Sequence, residues 1–436
     1  MRSYAALIWL WTTLSVVSGA PTNSWVAIRC GHLLDVTANV IRDQQVVLVE
    51  GDIIRAVGAA ASSVIPTNAT VIDLSDRYVL PGLIDCHTHI TSQPEDYYAD
   101  TFRRSPIDVA VTAHVYARRT LEAGFTTCRD VGAAEFIDVA LKKAIDSGRF
   151  AGPRLFVATL AIGSTGGHAD LTGFSPYLKF QNFSGIADGI EEIRKAVRFQ
   201  VKNGADVIKM IATAGVLSEE ESVGAPQYSA EEMKVMVEEA AMWGRKVAAH
   251  AHGTEGIKRA IRAGVTSIEH GSLIDDEGIE LMKQNGTYLV ADIYNDDYIL
   301  AEYARMNYPE QILEKERKVG RLQRENFQKA VRAGVKIAFG TDAGVYPHGW
   351  NAKQFAHMVR WGQTPWQAIQ AATINAADLL GQTHRLGSIQ TGRFADLVAV
   401  EENPIQDVTA LERVSFVMKG GVVYKNAGQK GARSQP

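Results

Sequence analysis

Four phrases in this chain share one pattern: LEAGFTTCRD (121–130), VKNGADVIKMI (201–211), IRAGVTSIEHG (261–271) and VRAGVKIAFGTD (331–342). In each, a helix-like run stops at a glycine, and a short apolar strand-like run follows. A glycine just past a helix end supplies the left-handed conformation that the stop needs. Between these phrases lie longer amphipathic stretches such as PIDVAVTAHVYARRTLEAG, GIEEIRKAVRFQVKNG and SAEEMKVMVEEAAMWG. Short apolar strands alternating with amphipathic helices predict parallel strands joined by crossover helices. The span from 81 to 384 suits an eight-fold α/β barrel. Its candidate strands are 82–90, 125–131, 154–160, 206–212, 246–252, 266–270, 287–292 and 336–342. The flanking segments 25–80 and 385–426 read differently, as short alternating strands between Gly, Asn and Asp turns.

Composition narrows the functional class. At 46% hydrophobic and 22% charged, the 436-residue chain is that of an ordinary globular protein. Its formal net charge of -4 gives no reason to expect nucleic acid or an anionic membrane as partner. Cys30, Cys86 and Cys128 are too widely spaced for a disulfide framework or a zinc knuckle, and each sits in an apolar stretch as a buried thiol would. Residues 1–20 read as a secretory signal peptide: Arg2, the apolar run YAALIWLWTTLSVV, then Ser18, Gly19 and Ala20. The expectation is a secreted or exported protein with no membrane span after signal removal. Asn68, Asn182 and Asn285 begin glycosylation triplets.

Active sites of such barrels sit where the strands end. There the chain places His87 and His89, Lys209, His250 and His252, His270, and Asp342. Residues i and i+2 of a strand share a face, so His87 and His89 can reach a single ion from the barrel mouth. Neutral imidazole is the commonest metal ligand, and a nitrogen-and-oxygen donor set suits zinc. A single His-x-His is a weak signal; in fold-consistent order with the other strand-end donors, it becomes specific. Other stretches are blander. RWGQTPWQAIQAATINAA reads as an amphipathic helix with its entry turn, and GTEGIKRAIRAG as a helix with basic residues on a solvated face.

With these residues in view, the chain from about 26 to 426 resembles the metal-dependent amidohydrolase superfamily, whose barrel begins PGLIDxHxH as at 81–89 here. GSIQTGRFADLVAVEENP (387–404) is similar to the segment that returns such chains to an accessory domain. The resemblance implies a (β/α)8 TIM barrel with a small β-sandwich domain formed by the N- and C-terminal segments. It implies two zinc ions, His87 and His89 on the more buried one, His250 and His270 on the more exposed one, and Asp342 both binding metal and handling protons. Lys209 would be a carbamylated lysine bridging the ions; the alternatives are a lysine reaching solvent or one paired with Asp206. The implied chemistry is attack of metal-activated hydroxide on an amide carbonyl.

GSTGGHADLTG, carrying His168, and APQYSAEEM, carrying Tyr228, resemble the Xaa-Pro dipeptidase and ochratoxinase-like branch. That branch removes C-terminal amino acids from dipeptides or N-acyl amino acids. His168, Tyr228 and His252 are then expected to contact the substrate, including its free carboxylate, and the branch often forms homo-oligomers. Two other readings stay open: a cyclic amidohydrolase of the imidazolonepropionase type, and a non-catalytic scaffold of the same fold.

Overall fold

The computed structural model describes residues 25–427 except 98, 100–102, 176, 178–184 and 221. The expected signal peptide and Asn182 therefore lie outside the described residues, whereas Asn68 and Asn285 are exposed. The chain opens with β1 (Trp25–Asp35), β2 (Val40–Glu50), β3 (Ile53–Ala59) and β4 (Thr70–Pro81). It ends with β12 (Leu397–Val400), β13 (Phe416–Lys419) and β14 (Val422–Asn426). These strands form one sheet in the order β14-β13-β12-β4-β1-β2-β3. The sheet curls on itself: past the β3 edge, Ile54 N–H donates to Arg393 O at 2.9 Å, and Ala395 N–H donates to Asp52 O at 2.7 Å. Ile28, Val47, Ile54, Leu74, Leu397 and Phe416 consequently meet in one buried cluster, the interior of the expected two-ended sandwich.

The barrel strands are β5 (Leu83–Thr88), β6 (Phe125–Asp130), β7 (Arg154–Val157), β8 (Val207–Ile211), β9 (Lys246–Ala251), β10 (Ser267–His270) and β11 (Tyr288–Val290). They pair in parallel as two arcs, β5-β6-β7 and β8-β9-β10-β11. Ile162, just beyond β7, joins the arcs by hydrogen bonds with Lys209 O and Ile211 N. The eighth expected strand, 336–342, forms no regular ladder. It closes the barrel as an irregular extended segment, with Ala338 N donating to Leu289 O at 3.1 Å and Cys86 N to Phe339 O at 2.8 Å. At its end Asp342 leaves the extended region at φ +56.

Gly124, Gly204, Gly264 and Gly334 follow their helices with φ of 101, 112, 96 and 80, as the repeated phrase required. The Trp-containing stretch makes two short helices, Pro365–Ala371 and Ile374–Leu379, rather than one. Lys258 is also not solvated: it is 8% exposed and ion-paired with Glu255, Asp275 and Glu277 at 3.2, 3.2 and 2.9 Å. All three cysteines are free and buried, and burial alone pushes the Cys30 thiol up to about 12. No helix of the described residues is long and apolar enough to cross a membrane.

Candidate metal centre

The C-terminal ends of the barrel strands open into a cavity of about 370 Å³. His87, His89, His168, Lys209, His250, His252, His270 and Asp342 all line it, so the sequence-predicted set converges with one exception. Tyr228 is that exception. Its ring is buried in the packing outside the barrel, its hydroxyl donates to the Ala187 carbonyl at 2.8 Å, and it does not line the cavity. Standing just ahead of the helix cap at Ser229, it is committed to that helix's docking rather than to substrate.

Three of the cavity's imidazoles are held through Nδ1 by a carboxylate or a backbone carbonyl. His87 Nδ1–H donates to Glu269 Oε2 at 2.9 Å, His89 Nδ1–H to the Gly132 carbonyl at 2.8 Å, and His270 Nδ1–H to Asp292 Oδ1 at 2.9 Å. Each acceptor assigns the tautomer and leaves the Nε2 lone pair as the available donor, the arrangement that orients a metal-binding histidine. Asp342 Oδ1 lies 3.3 Å from His87 Nε2 and 3.2 Å from His89 Nε2. Even so, His87 Nε2, His250 Nε2 and Asp342 Oδ1 are buried atoms with no hydrogen-bond partner. Burying several polar atoms unpaired is costly unless something else binds them. Two triads, His87/His270/Asp342 and His250/His252/His270, each bring their ligand atoms within 4.8 Å of one another. This donor set of nitrogen and carboxylate oxygen fits divalent metal. The grouping puts His252, expected to touch only substrate, beside two metal-ligand candidates.

Lys209 is 3% exposed, and its ammonium makes no hydrogen bond or ion pair with any described residue. Neither alternative for it holds: it does not reach solvent, and Asp206 is paired instead with Lys142 at 2.5 Å. Burial pushes its ammonium down to about 8, partly offset by Glu269 and Asp342. His168 stacks on His250 with ring centroids 4.2 Å apart, and its Nδ1 meets Ser218 Oγ at 2.6 Å. Burial pushes His168 down to about 3, which favours the neutral imidazole.

A supporting layer went unread in the sequence. Glu269 also accepts from Arg129 Nη2 at 2.7 Å. Burial opposes its charge, yet Arg129 and the His87 hydrogen bond hold its carboxyl well below the usual range. Asp292 also accepts from Asn295 Nδ2 at 2.6 Å and Gln323 Nε2 at 2.9 Å. The signal was present: a charge inside an apolar strand, as in TTCRD and SIEHG, must find a buried partner.

The comparisons with known proteins agree with this geometry. The amidohydrolase family model matches residues 78–424. Ochratoxinase of Aspergillus niger is 37% identical over 372 residues, covering 80% of this chain and 76% of the relative. A Xaa-Pro dipeptidase structure with methionine bound in its active site superposes with a TM-score of 0.88 at 40% identity, covering 92% of this chain and 100% of that one. The structure of Aspergillus niger ochratoxinase gives a TM-score of 0.83 at 32% identity, covering 94% of this chain and 99% of that one. This chain belongs to the amidohydrolase family, as a hydrolase of amide bonds of the ochratoxinase and prolidase type.

Proposed function

We propose that the protein is a binuclear zinc amidohydrolase that cleaves the amide bond to a C-terminal amino acid, in a dipeptide, an N-acyl amino acid or an ochratoxin-like amide. The observation that carries this reading is the set of buried, partnerless donor atoms, His87 Nε2, His250 Nε2 and Asp342 Oδ1, facing one cavity beside the partnerless Lys209. Relatives named for Xaa-Pro dipeptides and for ochratoxin favour that substrate class.

In this reading His87, His89 and Asp342 would hold one ion, and His250 and His270 the other. Lys209 would complete the set as a carbamate, formed when its neutral amine adds carbon dioxide and releases a proton. The lowered pKa supplies that neutral amine near pH 8. When bound, the ions supply an acidified water and polarise the amide carbonyl. Asn295 donates to Asp342 Oδ2 at 3.2 Å and so fixes the carboxylate that would take the water proton and pass it to the leaving nitrogen. Burial works against ionisation of Asp342, but His87 and His89 keep its carboxyl well below the usual range, so it starts as the base. His168 offers a neutral imidazole to the substrate.

The test uses the full chain with zinc and bicarbonate on dipeptides, N-acyl amino acids, ochratoxin A and cyclic imidazolones, read by mass spectrometry. Release of a free amino acid is expected, and ring opening without it would overturn the reading. Asp342→Asn should lower turnover by about 10²–10⁴-fold while the protein stays folded; near-normal turnover would remove Asp342 from proton transfer.

A further inference from the structure

The long helix Glu310–Ala333 presents Glu316, Val319 and Gln323 to the cavity, one after another along a single face. Gln323 is committed to Asp292. The Glu316 side chain is not committed: the residue is 4% exposed and lines the cavity, and its carboxyl makes no hydrogen bond or ion pair with any described residue. The one cation acting on it, Arg324, is already paired with Asp296 and Asp297. Asp292 is occupied by His270, Asn295 and Gln323, and Asp296 by Arg324 at 3.0 Å. Asp296 packs closely on this helix, since a Cβ at Gly320, one turn beyond Glu316, would lie 2.3 Å from its Oδ1. This wall therefore carries three carboxyl groups, and the only one without a partner faces the substrate space.

We propose that Glu316 binds a cationic group on the acyl side of the substrate, so that the enzyme prefers amides bearing a free amine, dipeptides foremost, over uncharged N-acyl amino acids. The inference rests on the amidohydrolase reading above and names the substrate class within it. The side follows from the donor set: a wall of carboxyl groups offers the substrate's carboxylate no cationic partner, and in a dipeptide the amine is the group at the other end. Val319 and Tyr303 line the same cavity, so an ammonium–carboxylate pair there is screened less than in water. Burial, with Asp296 and Asp292 adding to it, pushes the Glu316 carboxyl up to about 8.

The test compares Ala-Xaa with propionyl-Xaa, its isostere lacking the amine, where Xaa is the C-terminal residue released best. Both are assayed with the zinc-loaded wild type and with Glu316→Gln, whose folding is checked by metal content and thermal melting. Wild type should favour Ala-Xaa, and Glu316→Gln should lower the ratio of the two kcat/KM values by at least about tenfold. Equal use of both substrates by wild type overturns the proposal without any variant. A parallel loss on both substrates in Glu316→Gln also overturns it, while leaving the amidohydrolase reading intact. Hydrolysis of neither by wild type removes the functional reading, and the assignment of Glu316 falls with it.

Discussion

Glu269 accepts from both His87 and Arg129, tying a metal-ligand candidate to a buried cation on another strand. Glu269→Gln keeps the shape but removes the charge that both partners need. Breaking a buried ion pair by deleting one partner costs about 3–5 kcal/mol, and losing the support of a metal-binding histidine lowers metal affinity by about 10–100-fold. Calorimetry and metal analysis of Glu269→Gln check the two effects separately. An unchanged metal content would remove Glu269 from the support of the site. Two other residues show that site geometry outranks backbone preference: His270 and Asp342, neither a glycine, sit at φ +68 and +56. Such conformations cost about 1–3 kcal/mol each and persist where the surroundings demand them. The identity of both residues was legible as strand-end chemistry; their backbone turn was not, because it depends on neighbouring strands.

Among the elements, the Glu310–Ala333 helix does more than cover the barrel. Lys315, 2% exposed, donates to the carbonyls of Gly215, Ser218 and Glu220, fastening the loop whose Ser218 side chain holds His168. An ammonium spending its three donors on one loop is a clamp, and hydrogen bonds to a charged group are worth about 1.5–3 kcal/mol each. Lys315→Met should keep the barrel folded but loosen residues 215–220. The expected signs are protease nicking in that loop and a KM raised several-fold; a loop as resistant as in wild type would show that the clamp is redundant. Nothing in EKERKVG, read as a string, distinguishes this lysine from solvated neighbours such as Lys318, which is exposed. Only the tertiary neighbour does.

On the scale of the whole molecule, the accessory sheet is completed by the last strands of the chain. β12 pairs with β4, and Phe416 and Met418 of β13 fill the cluster built by β1 and β2. A chain ending at Arg413 loses β13 and β14 and opens that cluster to water. Such a truncation should fail to yield soluble protein, and soluble, zinc-loaded truncated chain would show that the barrel stands alone. The joining of the two flanks into one sheet was implied by the family resemblance; by itself, the sequence determined the barrel, the strand character of those flanks and the histidines, lysine and aspartate at the strand ends. Those properties follow from local periodicity, and strand-end position places a side chain at the mouth. Tertiary structure alone decided that Tyr228 turns away to Ala187, that Asp206 belongs to Lys142, and that Glu269 and Arg129 pair beneath His87. It alone also left Glu316 facing the cavity without a partner. A buried polar group is defined by its partner, and partners far apart in the chain meet only once the barrel closes.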